Sequence, residues 1–232
     1  MEIGAELNEI LTRDKTLIHI NAGFGPEGFF DVNRSVVISW GVIAVLFLVC
    51  LFLTRGMKTH APGKRQLIAE LAVVKLRGMI ENLTGHGGKP YVDFIVTVMV
   101  YIAACNLVGI FGLIPPTMDL NITAALAFTA IVMVEYAAIR HKTLKGRLKA
   151  FAEPIAVITP MNIMELGIRP LSLCMRLFGN ILGATVIMEL LKMVVPVGLP
   201  AVFSLYFDFF DGLIQAYVFV FLTSLYVSET TE

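Results

Sequence analysis

Long uncharged runs, separated by short basic or proline-marked segments, dominate the pattern of hydrophobic and polar positions. From Ser35 to Thr54 no side chain is charged, and about 20 such residues suffice for a helix to cross a ~30 Å hydrocarbon layer. A membrane helix is therefore predicted over 35–54. A second charge-free run covers 94–114, bounded by Lys89, Pro90 and Asp93 before it and by Pro115-Pro116 after it. A third, 122–139, is interrupted only by Glu135 close to its end, where a carboxylate can snorkel or pair with Arg140. The stretch from Met161 to Val227 is apolar enough to cross twice. A break at Val195-Pro196-Val197-Gly198-Leu199-Pro200 divides it into helices of about 161–193 and about 200–227. Segments around Gln66–Leu83 and Arg147–Ile158 mix apolar and basic residues and suit the membrane interface better than its interior. The expected fold is a single integral domain over 1–232, an all-α polytopic membrane protein of about five transmembrane helices.

Composition agrees with that frame. Hydrophobic residues make up 57% of the chain and charged ones 16%, with a mean hydropathy of +0.80 and only three cysteines, which excludes disorder, collagen and a disulfide-stapled secreted module. Eighteen Lys and Arg cancel eighteen Asp and Glu, so no broad positive field marks a nucleic-acid binder. Cys50, Cys105 and Cys174 each lie within an apolar run without CxxC spacing and read as small buried hydrophobes. His19, His60, His86 and His141 fall outside the predicted spans, so neither a metal site nor a cofactor is expected. Glu2, Glu6 and Glu9 stand where a signal peptide would carry basic residues.

The positions of the charges matter more than their sum. Seven cations (Arg55, Lys58, Lys64, Arg65, Lys75, Arg77 and Lys89) follow the first span, and five (Arg140, Lys142, Lys145, Arg147 and Lys149) follow the third. Basic short loops favour the cytoplasm. The 55–90 segment, with its amphipathic helix, is thus expected inside, residues 1–34 outside and the C-terminus cytoplasmic.

The few charges left within the spans are the candidates for function, since a charge at mid-membrane costs ~2.5–3.5 kcal/mol on insertion scales unless it is paired, hydrated or used. Arg176 lies among Leu173, Cys174, Met175, Leu177 and Phe178, several turns from either helix end. Being unable to deprotonate, it is either a structural ion-pair partner or a permanent positive charge with a task. Arg169 shares its face at a spacing of seven and Glu165 precedes Arg169 by four. Ser172, Gly179, Asn180 and Gly183 continue that face, small enough for ordinary packing or for another helix to approach Arg176. On the last helix Asp208, Asp211 and Gln215 form a polar stripe. Two acids and an amide opposite an intramembrane arginine suggest an ion path.

The run Arg169-Pro-Leu-Ser-Leu-Cys-Met-Arg176-Leu-Phe-Gly-Asn180 resembles the signature of the a subunit of F-type ATP synthases, in which an S-L-x-x-R-L-F-G-N stretch carries the essential membrane arginine. Pro62-Gly-Lys-Arg-Gln66, Asn106-Leu-Val-Gly109 with Gly112-Leu-Ile-Pro115, Pro116-Thr-Met-Asp119-Leu-Asn121-Ile-Thr123, Gln215-Ala216 and the closing Leu-Thr-Ser-Leu-Tyr226 resemble further family segments in order. The resemblance implies a non-catalytic, ion-conducting stator with a long tilted charged helix and a C-terminal helix facing a rotor ring of c subunits. It further implies b-type peripheral stalk partners, an F1 catalytic sector reached through the stalk, and a multi-pass place in a bacterial inner membrane. On this resemblance Arg176 is the gate between two half-channels and Asn180 its polar neighbour, with Gln215 on the partner helix. Asp208 and Asp119 would line the external route, and Glu165 the cytoplasmic one. Where relatives carry Glu or His the chain has Thr185, so Glu189, one turn beyond, or Asp211 is expected to take over the relay, unless Glu189 only pairs with Lys192.

A stand-alone secondary ion transporter is the principal alternative. Such folds show internal repeats, whereas here the membrane charges are confined to the last third. A membrane-embedded enzyme is weaker still, since no HExxH, GxSxG or glycine-rich phosphate loop is present.

Overall fold

A computed structural model describes residues 16–18, 32–57, 63–85, 87–152, 159–194, 198 and 203–231. A two-stranded antiparallel ribbon, β1 (Thr16–Ile18) and β2 (Val32–Asn33), precedes the helices and is an addition to the all-α expectation. The helices are α1 (Arg34–Thr54), α2 (Lys64–Thr84), α3 (Val92–Leu107), α4 (Leu120–Ala152), α5 (Thr159–Val194) and α6 (Gly212–Thr231), the last entered through a π-helical stretch, Leu205–Asp211. Among the described residues five segments are long and apolar enough to cross a membrane: Arg34–Thr54, Lys89–Phe111, Leu120–His141, Met164–Met193 and Leu205–Thr231.

Three boundaries differ from the sequence expectation. The second span begins at Lys89 and is over by Phe111, not 94–114. Pro90 is accommodated in a one-turn 3-10 helix, Lys89–Tyr91, where its missing N–H costs nothing. At the other end Gly112 turns left-handed at φ +72 and stops the helix before Pro115. The third span runs on without a break to Ala152, so no separate interfacial helix begins near Arg147, and 153–158 lies outside the described residues. Most of the expected 195–200 break also lies outside them. The last span starts at Leu205 and extends to Thr231.

Burial follows the helix period. Ile95 and Ile102 of α3, Ala127, Ala130, Val134 and Ala137 of α4, Leu173 and Leu177 of α5, and Phe219, Val220 and Val227 of α6 form one core. Alanines at α4 let its neighbours approach closely. α1 stands apart with only Ser39 and Val42 buried, and Ser39 Oγ shares a 2.6 Å hydrogen bond with Tyr101 Oη of α3. Its Cys50 is exposed, a correction to the buried reading that Cys105 and Cys174 satisfy. Glycines close the opposite end: a Cβ on Gly88 would sit 2.5 Å from Thr84 Cβ and 3.2 Å from Val227 Cγ1, while His141 Nε2 donates to the Gly87 carbonyl at 3.1 Å. Arg140 donates to Tyr136 Oη at 3.1 Å.

Candidate functional site

α5 carries most of the site because its 36 residues continue through Pro170, which sits inside the helix. One side, Leu173, Cys174, Leu177 and Ile181, is buried. On the other, Met164, Ile168, Leu171 and Met175 are exposed, and so is Arg176. Arg176 lies 12 residues from the start of its span and 17 from its end, about 18 and 26 Å along the helix, too deep for snorkelling to reach either surface fully. Among the described residues no carboxylate lies within 4.0 Å of its guanidinium and no hydrogen bond holds it. Among the described residues a Cβ added at Gly167, Gly179 or Gly183 meets nothing within 4 Å. Among the described residues, then, neither a carboxylate beside Arg176 nor a neighbour against these glycines is present.

One turn along, Asn180 Nδ2 donates to Asp211 Oδ2 at 2.8 Å and to Gln215 Oε1 at 3.4 Å, joining α5 to the last helix. Gln215 is buried, and its Nε2 has no hydrogen-bond partner among the described residues. Asp211 is therefore occupied by Asn180.

Asp208, one turn before Asp211, faces elsewhere. It lines a cavity of about 390 Å3 together with Ser204, Thr185, Glu189, Lys192 and Asn106. Ser204 Oγ donates to Asp208 Oδ2 at 2.5 Å. Gly109 makes room on the far side, because a Cβ there would stand 2.9 Å from Asp208 Oδ1. Thr185 Oγ1 donates back to the Ile181 carbonyl at 2.9 Å, and Glu189 accepts from Lys192 Nζ at 2.8 Å. Glu189 thus pairs with Lys192 and also lines the cavity. Asp119 is not among the lining residues. Its Oδ1 accepts from the Asn121 N–H at the start of α4 and its Oδ2 from Asn33 Nδ2, both at 3.0 Å, although its neighbour Met118 lines the cavity.

Two clusters go beyond the sequence reading, which held Asn106 only within a motif and Arg169 only beside Glu165. Asn106, 2% exposed, donates to the Gly212 carbonyl at 2.8 Å and accepts from Thr117 Oγ1 at 2.8 Å. Gly212 can come this close because it lacks a side chain: a Cβ there would stand 2.9 Å from Asn106 Cβ. The contact fixes the junction between the π-helical stretch and α6, between Asp211 and Gln215. At the other end of the bundle Arg169, whose side chain is 11% exposed, bridges Glu165 at 2.8 Å and Glu229 at 2.9 Å and stacks over Tyr226 at 4.7 Å. Arg169 and Arg176 share a helix face but not an environment. No group of His, Cys, Asp and Glu among the described residues is arranged to hold a metal.

Comparison with known proteins covers almost all of this arrangement. The model of a family described as "ATP synthase A chain" matches residues 36–228. The ATP synthase subunit a of Moorella thermoacetica is 33% identical over 203 residues, 87% of this chain and 92% of that protein. That of Albidiferax ferrireducens is 32% identical over 211 residues, 90% and 91% of the two chains. ATP synthase subunit a 2 of Acaryochloris marina is 30% identical over 224 residues, 96% of this chain and 93% of its own.

Proposed function

The chain belongs to the ATP synthase A chain family, and from this premise, that it is an ion-translocating, non-catalytic membrane subunit of an F-type ATP synthase, we propose how its residues divide the work. The observation that carries the reading is Arg176: an exposed guanidinium at mid-span with no partner among the described residues, on a face that Gly179 and Gly183 leave open. A charge so placed calls for a counter-ion from outside the chain. A ring of c subunits, each with a mid-membrane carboxylate, supplies it as successive carboxylates pass.

The positive charge lowers the pKa of an arriving carboxylate and so favours release of its ion. It also repels a cation attempting to pass directly from one side to the other, which keeps two half-channels separate. Asp208, with Glu189 and Thr185 in the same cavity, forms the external route up to the Asn180, Asp211 and Gln215 layer. Glu165 begins the route from the cytoplasmic side, its position set by Arg169 and Glu229. Asp119 supports the external end by ordering the start of α4. Transport is driven by the ion gradient and by the membrane potential, the latter worth ~2.3 kcal/mol per charge per 100 mV. The N-terminus is external and the C-terminus cytoplasmic. b-type stalk subunits hold the chain against the ring, and the F1 sector carries out the ATP chemistry in a bacterial inner membrane.

Gly179→Cys, paired with cysteines along the outer helix of the c subunit, tests the docking in the assembled complex. Disulfide formation near the level of the ring carboxylate is expected. Failure at every c-subunit position would contradict it.

A further inference from the structure

Lys192 is a cation on the lining of the cavity that holds Asp208 and Glu189, and a route for cations has no evident need of one. Its place in the last turn of α5 suits the negative end of the helix dipole. The dipole does not require the side chain to turn back, yet Nζ lies 2.8 Å from Glu189 Oε1, three residues earlier, and the two side chains are 52% and 30% exposed. Asp208 is placed differently. Ser204 Oγ donates to its Oδ2, Gly109 leaves room at its Oδ1, and among the described residues no cation lies within 4.0 Å of it.

The charge of the cavity follows from these pairings. Neither the 106–118 wall nor the 193–207 segment that leads to Asp208 contains a charged residue. Asp119, just beyond Met118, is engaged by Asn33 and by the start of α4. Glu189 and Lys192 cancel, which leaves Asp208 as the unbalanced carboxylate among the described lining residues. A conducting site has to hold its ion firmly enough to admit it and loosely enough to release it. Two uncompensated carboxylates in a cavity about 9 Å across, the diameter of a sphere of 390 Å3, would favour holding over release. Resting on the reading of this cavity as the external route, we propose that Lys192 sets the affinity of that route for its ion by neutralising Glu189, so that one cation is taken up against Asp208 and passed on.

The test uses the whole complex in vesicles with F1 outward, ATP synthesis being driven by a fixed potassium–valinomycin potential. The rate is followed against luminal sodium at constant pH and against luminal pH without sodium, and the half-saturating concentration of whichever cation drives the wild type is read. Removing a unit charge ~9 Å away, at an effective dielectric of ~40, between the values for a protein surface and for water, changes affinity about fivefold. Lys192→Gln is therefore expected to lower the half-saturating concentration about fivefold without raising the maximal rate, and Lys192→Arg to stay within about twofold of the wild type. Glu189→Gln should raise it, and Glu189→Gln with Lys192→Gln, which restores the original net charge, should return it to within about twofold of the wild type. A merely structural lysine predicts the opposite sign, since a damaged helix end weakens uptake. An unchanged or higher half-saturating concentration in Lys192→Gln overturns the proposal, and so does an equal fall in Lys192→Arg. Asp208→Asn separates the two levels. If it impairs synthesis while Lys192→Gln changes nothing, the role of Lys192 alone falls, whereas wild-type kinetics in Asp208→Asn refute the route itself and the proposal with it. Should Lys192→Gln not assemble, Lys192→Met, which keeps the apolar stem and removes the charge, is read by the same criteria.

Discussion

Asn106→Ala should loosen the last span at the point where its two acids diverge. The amide is 2% exposed and satisfies two buried groups, the Gly212 carbonyl and the Thr117 hydroxyl. Orphaning a buried polar group costs ~1–3 kcal/mol, so the pair sets an upper range of about 2–6 kcal/mol. Asn106 also lines the cavity beside Asp208, and water admitted there can replace part of the loss, which places the expected cost at about 2–3 kcal/mol. Thr117→Val removes one of the two bonds and should cost about 1–2 kcal/mol. The decisive quantity is the coupling. Thr117 donates to Asn106 and is 0% exposed, so Thr117→Val should be milder by about 1 kcal/mol in the Asn106→Ala background than in the wild type. Cys105 offers the readout, because it is fully buried next to Asn106 while Cys50 is exposed. In a Cys50→Ser background, the temperature at which Cys105 becomes reactive to a thiol reagent reports unfolding of this region. Strict additivity of the two substitutions would refute the reasoning.

Glu189→Gln, in reconstituted enzyme, should slow ion-driven synthesis by leaving the Asp208 cavity with one carboxylate fewer; unchanged rates would reduce Glu189 to a partner of Lys192. Arg169→Glu should uncouple the two helix ends and lower pumping several-fold, since the interaction with Glu229 is charge-assisted and the guanidinium, though not the carboxylate, is shielded. Adding Glu229→Arg should recover part of the activity if the pair positions the cytoplasmic end, and no recovery would show that Arg169 acts otherwise.

How far the sequence disclosed this depends on the range of the interaction. Uncharged runs of span length give the membrane helices directly, because hydrocarbon thickness imposes a local rule on each. The second span was displaced by several residues because Lys89 and Pro90 read as flanking signals, yet Pro is accepted in a first helical turn. Asp208 and Asp211 share one stripe on an ideal helix. The π-helical stretch and the Gly212–Asn106 contact send them to different surroundings, one to the cavity and one to Asn180. Glu229 carries no local signal in the sequence, yet it is half of the Arg169 bridge, 60 residues away in sequence. The Asn-Leu-Val-Gly run at 106–109 was visible as a motif. Its reason was not: Asn106 holds Gly212, and Gly109 clears space for Asp208. Arg176 was legible because its meaning lies in what surrounds it locally, an isolated charge deep in an apolar helix.

The central claim is that Arg176 is the unpaired charge that couples ion flow to rotation and keeps the two routes apart. Arg176→Ala in a reconstituted complex tests it most directly, with ATP-driven transport and passive ion leak through the membrane sector measured on the same vesicles. The account predicts loss of coupled transport together with a leak above the wild-type level. Coupled transport at the normal rate, with no added leak, would contradict it.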